Sequence, residues 1–110
     1  MFLAVALGAF GAHILRMRLS PEQISIYETA VLFHMVHAVA LIAVAWLLTL
    51  TEDLKVEWAE RMFLVGIFLF SGSLYLLATT GSRWLGIITP FGGLAWLAGW
   101  LLLVLTKKKI

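Results

Sequence analysis

Charged residues fall in four short regions of the chain, and the stretches between them are almost wholly apolar. About 20 apolar residues in a helix, each rising ~1.5 Å, cross the ~30 Å hydrocarbon core of a bilayer. The pattern therefore predicts four spans, at approximately residues 1–18, 21–50, 57–80 and 83–106. We expect an all-α membrane protein in which four transmembrane helices form an antiparallel bundle with short loops, as a single domain over residues 1–110.

Local signals mark several helix ends. Ser20, Pro21 and Gln23 form the capping pattern that begins a helix, and Gly81 is in the position of a C-terminal cap. The first span is short, because the fifteen residues that precede Arg16 reach only about 22 Å. We expect this helix either to be tucked against its neighbours or to have its true start upstream. A signal peptide is disfavoured because a positive leading region is missing.

Composition narrows the class of protein. Hydrophobic residues make up 63% of the chain and charged residues 13%, whereas soluble domains have roughly 45–50% and roughly 25%. These values exclude most soluble-enzyme folds and a disordered chain, and 8 Lys and Arg against 6 Asp and Glu do not predict nucleic-acid binding. Without Cys, the available chemistry is that of His, hydroxyl, carboxylate and backbone groups. The lack of Asn, with loops rich in Glu, Lys and Arg, favours a thermophilic source.

Four spans place both termini on one side of the membrane, so the positive charges can be assigned to the two sides. The terminal side carries five and the opposite side three, which favours cytoplasmic termini. The five are Lys55, Arg61 and Lys107–Lys109, and the three are Arg16, Arg18 and Arg83.

Small residues indicate where helices approach each other, since helices in lipid associate through close packing and hydrogen bonds. Gly8 lies in a stripe of small residues in the first span, and Gly99 lies in another in the fourth. Residues 71–73, a Ser-Gly-Ser sequence, form a small and polar patch in the third. We expect Leu at Gly8 or Gly72 to lower the melting temperature more than Leu at Trp100.

The fourth span contains the most unusual backbone sequence, Thr89-Pro90. Pro90 cannot donate a hydrogen bond to the carbonyl of Gly86, so we predict a kink or a local break there. A packing kink is favoured over a binding site at a broken helix. Trp96 and Trp100, four residues apart, are expected to pack or to face lipid.

Three histidines are the main candidates for chemistry. His34 and His37 are three residues apart and are expected to face the same neighbour, and His13 lies near the same end of the bundle. Metal binding, axial haem ligation and proton relay all use histidine, but the spans lack further metal ligands, a haem-sized slot and any embedded carboxylate. We interpret the three as neutral hydrogen-bond partners between helices, and no cofactor is expected; haem or metal is the alternative.

The chain contains four motifs: residues 7–13, residues 27–38, residues 70–76, and residues 89–93 followed by Gly99-Trp100. In this order they resemble the family of small membrane proteins called transmembrane protein 256, or domain of unknown function 423. The resemblance implies a four-helix protein of the bacterial inner membrane, with mitochondrial relatives in eukaryotes and no established enzymatic activity. The signature positions of the family fall on Gly8, Gly11, His13, His34, His37, Ser71, Gly72, Ser73, Tyr75, Thr89, Pro90, Gly92 and Gly93.

Short loops and small-residue faces favour a non-catalytic protein that contacts the lipid bilayer and other membrane-protein subunits. The leading hypothesis is an accessory or assembly subunit of a larger inner-membrane complex, with a respiratory complex as the first choice of host. The alternative is a small transporter or proton-conducting protein that uses the membrane histidines. Haem or metal binding is the third.

Overall fold

The computed structural model of the chain describes residues 1–106, and these residues form helices joined by short connections. The predicted all-α membrane fold with four helices is confirmed. The predicted stop signal at Lys107–Lys109 lies outside the described residues. The helices are α1 (Phe2–His13), α2 (Pro21–Leu48), α3 (Leu54–Thr80) and α4 (Leu85–Leu105), and a 3-10 turn, Leu15–Met17, follows α1.

Both predicted caps are present. The Ser20 hydroxyl accepts a hydrogen bond from the Gln23 amide, and the Gln23 side chain accepts one from the Ser20 amide, which completes a capping box at the start of α2. Gly81 has φ +74°, in the left-handed region, and its amide donates to the carbonyl of Leu77 at 2.8 Å. This conformation ends α3 as expected for a C-terminal glycine.

The third helix begins earlier than the predicted residue 57. It starts at Leu54 because the carboxylate of Asp53 accepts the Lys55 amide at 2.9 Å and caps the first turn. In the next turn, the Arg61 guanidinium lies 4.8 Å from the centroid of the Trp58 ring. The cap therefore adds a solvated turn before the apolar run.

The first helix is the shortest of the four. It has 12 residues, so it rises only about 18 Å, and it ends at His13 rather than near residue 18. The other three have 28, 27 and 21 residues and are long and apolar enough to cross a membrane. Among the described residues, α1 lies against α2 alone. Its position thus depends on this one neighbour.

The helices form a flat slab rather than a ring around a central core. Each helix packs against the next in the sequence, and the backbone measures 50 × 26 × 14 Å. The core lies among α2, α3 and α4, where Val44, Val56, Phe63 and Trp96 are buried. Most large apolar side chains elsewhere are exposed, as expected for a surface that lipid solvates.

The most irregular backbone is in α3 and not at Thr89-Pro90. Residues Ile67–Gly72 are π-helical, a form in which hydrogen bonds reach five residues along the chain. The fourth helix runs unbroken through Pro90, and the kink there stays a prediction. Gly92 of α4 lies directly against this π-helical segment, because a Cβ atom on Gly92 would overlap the backbone of Phe70.

Candidate functional site

The polar patch of α3 joins this helix to both of its larger neighbours. The hydroxyl of Ser71, fully buried, donates to the carbonyl of Ala30 on α2 at 2.9 Å. The hydroxyl of Ser73 lies 2.5 Å from that of Thr89 on α4 and 2.9 Å from the carbonyl of Phe70. A hydroxyl in hydrocarbon needs such partners, so the patch stabilises one particular arrangement of α2, α3 and α4.

His37 has both ring nitrogens engaged. Its Nδ1 lies 3.0 Å from the carbonyl of Phe33, and a carbonyl only accepts, so Nδ1 carries the hydrogen and donates it. Its Nε2 lies 3.0 Å from the indole Nε1 of Trp100, which only donates, so Nε2 is the acceptor. The two bonds define a neutral imidazole with its proton on Nδ1. They leave no free lone pair for a metal ion or haem iron.

Aromatic rings surround the His37 imidazole. The indole of Trp96 stacks on it, with centroids 3.8 Å apart and planes within 2°, and Phe63 meets it edge-on at 5.5 Å. The Trp96 indole N–H donates to the carbonyl of Phe63 at 3.1 Å. Phe33 and Phe70 pack on the other parts of Trp96. The cluster joins α2, α3 and α4.

His34 forms its hydrogen bond to a different helix from His37. Its Nδ1 lies 2.9 Å from the hydroxyl of Tyr75 on α3, whereas His37 bonds to Trp100 on α4. Both histidines nevertheless contact α3, because the Phe63 ring of this helix meets His37 edge-on. The expectation that they face the same neighbour therefore holds for α3, but their hydrogen bonds connect α2 to two different helices.

The short α1 is held by Tyr27. The Tyr27 hydroxyl donates to the carbonyl of Leu7 at 2.5 Å, and its ring lies against Gly11, where a Cβ atom would overlap the ring carbons. The same ring meets Tyr75 edge-on, with centroids 5.2 Å apart. Tyr27 thus connects α1 to the α2–α3 contact.

His13 has different surroundings from the other two histidines. It is exposed at the C-terminal end of α1, while His34 and His37 are buried. Within residues 1–106, no group of three or more His, Asp or Glu side chains is placed to hold a metal ion. This geometry gives little support to a metal site, and it does not arrange the three histidines as a relay.

The sequence matches known proteins over nearly its whole length. Residues 7–93 match the model of the family described as protein of unknown function DUF423. The chain belongs to the DUF423 family. It is 44% identical over 107 residues to a UPF0382 membrane protein of Staphylococcus haemolyticus, a match that covers 97% of this chain and 87% of that relative. No solved structure matches it.

Two further relatives are also named as membrane proteins. The chain is 42% identical to the UPF0382 membrane protein YwdK of Bacillus subtilis, over 97% of this chain and 88% of that protein. It is 35% identical to the UPF0382 inner membrane protein YgdD of Escherichia coli, over 94% and 79% of the two chains. The predicted location in a bacterial inner membrane is confirmed. The prediction of a thermophilic source gains no support from these relatives.

The DUF423 signature positions separate into two groups in the structure. Most of them make the interhelical contacts described above. Four positions do not. An added Cβ atom at Gly72 meets nothing closer than 3.8 Å, one at Gly93 meets nothing closer than 3.9 Å, and both His13 and Pro90 are exposed. The expected close packing at Gly72 is therefore absent.

Several residues of the DUF423 site escape sequence reasoning. Gly66 packs so closely against the Trp96 indole that a Cβ atom would overlap the ring. Gly99, which the sequence did place in a close-packing stripe, packs in the same way on Phe63. Trp96 and Trp100 also lie beyond the matched residues 7–93. Their four-residue spacing was the available signal, since it places both indoles on one face of α4.

Proposed function

We propose that this protein is a non-catalytic accessory or assembly subunit of a larger inner-membrane complex. The proposal rests on the hydrogen bonds that the polar side chains within the spans make. Both nitrogens of His37 and the hydroxyls of Ser71 and Ser73 bond to the protein's own helices. Groups engaged in this way hold helices in place and are not free to act on a substrate.

The surface also supports a role in contact. The outward face of α4 is apolar, with Ile87, Phe91, Leu94 and Val104 each at least 60% exposed. Four helices arranged as a flat slab expose more surface to lipid or to other helices than the same helices arranged as a ring. The slab therefore offers broad faces for contact with a larger assembly. Respiratory complexes reside in the bacterial inner membrane, which makes one of them the first choice of host.

Gentle extraction tests this proposal. The tagged protein is expressed at its native level, extracted in several mild detergents and analysed by quantitative mass spectrometry. We expect a reproducible membrane complex to co-purify in near-stoichiometric amount. A protein that runs alone, as a monomer or homo-oligomer, in all of these detergents contradicts the proposal.

Matched surface variants locate the contact. Phe91→Ala with Leu94→Ala trims the exposed face of α4, and Leu32→Ala with Ile42→Ala trims exposed positions on α2. All four side chains are at least 58% exposed, so neither pair should disturb the fold. We expect one pair to release the co-purifying complex and the other to retain it. Retention by both pairs would exclude these two faces.

A further inference from the structure

A groove on the membrane-facing surface lies between α1 and α3, with α2 as its floor. Its volume is about 620 Å³, within the range of small-molecule sites. Its walls are apolar and include Leu7, Leu41 and Phe68. The ionisable side chains that line it are His34 and Tyr75, which bond to each other. The groove therefore combines an apolar volume with this polar pair, and Met1, whose amino group lies near His34, also lines it.

The His34 imidazole carries one hydrogen-bond donor without a partner. Its Nδ1 contacts the Tyr75 hydroxyl, which has no other acceptor in the described part of the chain, so the hydroxyl donates and Nδ1 accepts. The proton of the neutral ring then lies on Nε2. Every fully enclosed side-chain nitrogen or oxygen of the described residues has a hydrogen-bond partner, and Nε2 has none. Nε2 is therefore not fully enclosed, although His34 is only 7% exposed. Hence Nε2–H opens onto the groove.

The depth of His34 restricts what can satisfy this donor. The residue lies midway along α2, whose 28 residues extend about 42 Å, so it is about 20 Å from either end. Water is absent from this depth, and an unpaired donor there is costly. The ester carbonyls of phospholipids lie at the interface, far from this position. A suitable occupant therefore brings a carbonyl oxygen into the bilayer interior on an apolar body.

We propose that this groove binds a lipid-soluble quinone. One quinone carbonyl accepts the Nε2–H of His34, and the apolar tail lies along α1 and α3. Tyr75 positions the ring by holding Nδ1 as an acceptor, which keeps the donor on the groove side. This inference goes beyond the accessory role and does not depend on it, because binding is a property of the isolated protein.

The test compares two probes on the full chain in detergent micelles. One is a decyl-substituted benzoquinone, and the other is decylbenzene, which has the same chain and no carbonyl. We expect saturable binding of the quinone that is about fivefold tighter than that of decylbenzene, the factor that one net hydrogen bond supplies. The Nε2 resonance of His34 should shift in nitrogen-15 NMR on binding. Equal affinity for the two probes overturns the proposal and indicates a groove for acyl chains only.

Three variants place the site. Ile42→Trp fills the groove from a position that is 64% exposed, and it should weaken binding of both probes. Leu97→Trp makes the same change at a position 67% exposed beside Trp96 and Trp100, and it should leave binding unchanged. His34→Phe should reduce the affinity for the quinone to that for decylbenzene.

Each result has one meaning. Quinone binding that survives Ile42→Trp, or that Leu97→Trp weakens as much, contradicts the proposed location. If His34→Phe does not fold, the comparison of probes on the native chain and the two tryptophan variants decide the question. Quinone preference that persists in a folded His34→Phe protein contradicts the proposed hydrogen bond.

Discussion

At the residue scale, several polar groups within the spans pair with groups on a neighbouring helix. The bond from the Trp100 indole to His37 Nε2 is typical of them, because each partner would otherwise lie unpaired in hydrocarbon. Sequence alone indicated that the histidines are hydrogen-bond partners, since the spans contain no charged partner for them. The sequence did not identify the hydrogen-bond partners, because the position of a residue within its own helix does not determine which other helix packs beside it.

Removing one of these donors has a defined cost. Trp100→Phe keeps an aromatic ring but leaves Nε2 of His37 unpaired, so we expect the free energy of unfolding to fall by about 1 kcal/mol. Trp84→Phe is the matched control, since Trp84 is 62% exposed and makes no side-chain hydrogen bond in the described residues. Detergent-induced unfolding followed by circular dichroism measures both. Equal stability of the two variants would show that the indole bond contributes nothing.

Two glycines of α4 provide a second test at this scale. A Cβ atom on Gly92 overlaps the backbone of Phe70, while one on Gly86 meets nothing within 4 Å. We therefore expect Gly92→Ala to destabilise the protein by about 1–3 kcal/mol through overpacking, and Gly86→Ala to be neutral or slightly stabilising. Thermal unfolding distinguishes them. A greater loss at Gly86 contradicts the contact assigned to Gly92.

At the element scale, the predictable features are those that the local sequence determines. The capping box at Ser20 and the left-handed Gly81 were predicted because their partners lie within a few residues. The π-helical segment Ile67–Gly72 was not predicted, because nothing in its apolar sequence distinguishes it from regular helix. It contacts Gly92, a residue more than twenty positions away, so its cause lies in tertiary packing.

The π-helical segment contains the extra residue that such a bulge inserts into a helix. Deleting Phe68, which is 74% exposed, should let the segment become regular helix with Tyr75 still facing His34. Deleting Leu64 from the regular part of α3 rotates the rest of the helix by about 100° and separates this pair. We expect the first deletion to fold with a modestly lower melting temperature and the second not to fold. Circular dichroism during heating tests this difference, and equal losses would contradict it.

At the scale of the whole molecule, the flat arrangement follows from connections that are short and contacts that are sequential. The number of helices and their approximate positions were predictable from the spacing of charges, whereas the end of α1 and the start of α3 were not. The slab was not, because apolar patterning cannot specify which helices are neighbours when both lipid and protein are apolar. Residues such as Phe63 and Trp96 form a core only when α2 and α4 each pack against α3.

The orientation in the membrane is open to a direct test. The chain has no Cys, so single-cysteine variants report on one site each. Glu52→Cys in the α2–α3 connection should be protected from a membrane-impermeant thiol reagent in intact cells, and Ser82→Cys in the α3–α4 connection should react. This result follows from cytoplasmic termini and the excess of positive charge on that side. The reverse labelling pattern contradicts the predicted orientation.

The central claim is that His34 and His37 are neutral imidazoles that hold helices together through hydrogen bonds. Nitrogen-15 NMR of histidine-labelled protein in lipid tests it most directly, because the two ring nitrogens report separately on protonation. The account predicts opposite neutral tautomers, with the proton on Nδ1 in His37 and on Nε2 in His34. The same tautomer in both residues, or a metal-bound nitrogen in His37, would contradict it.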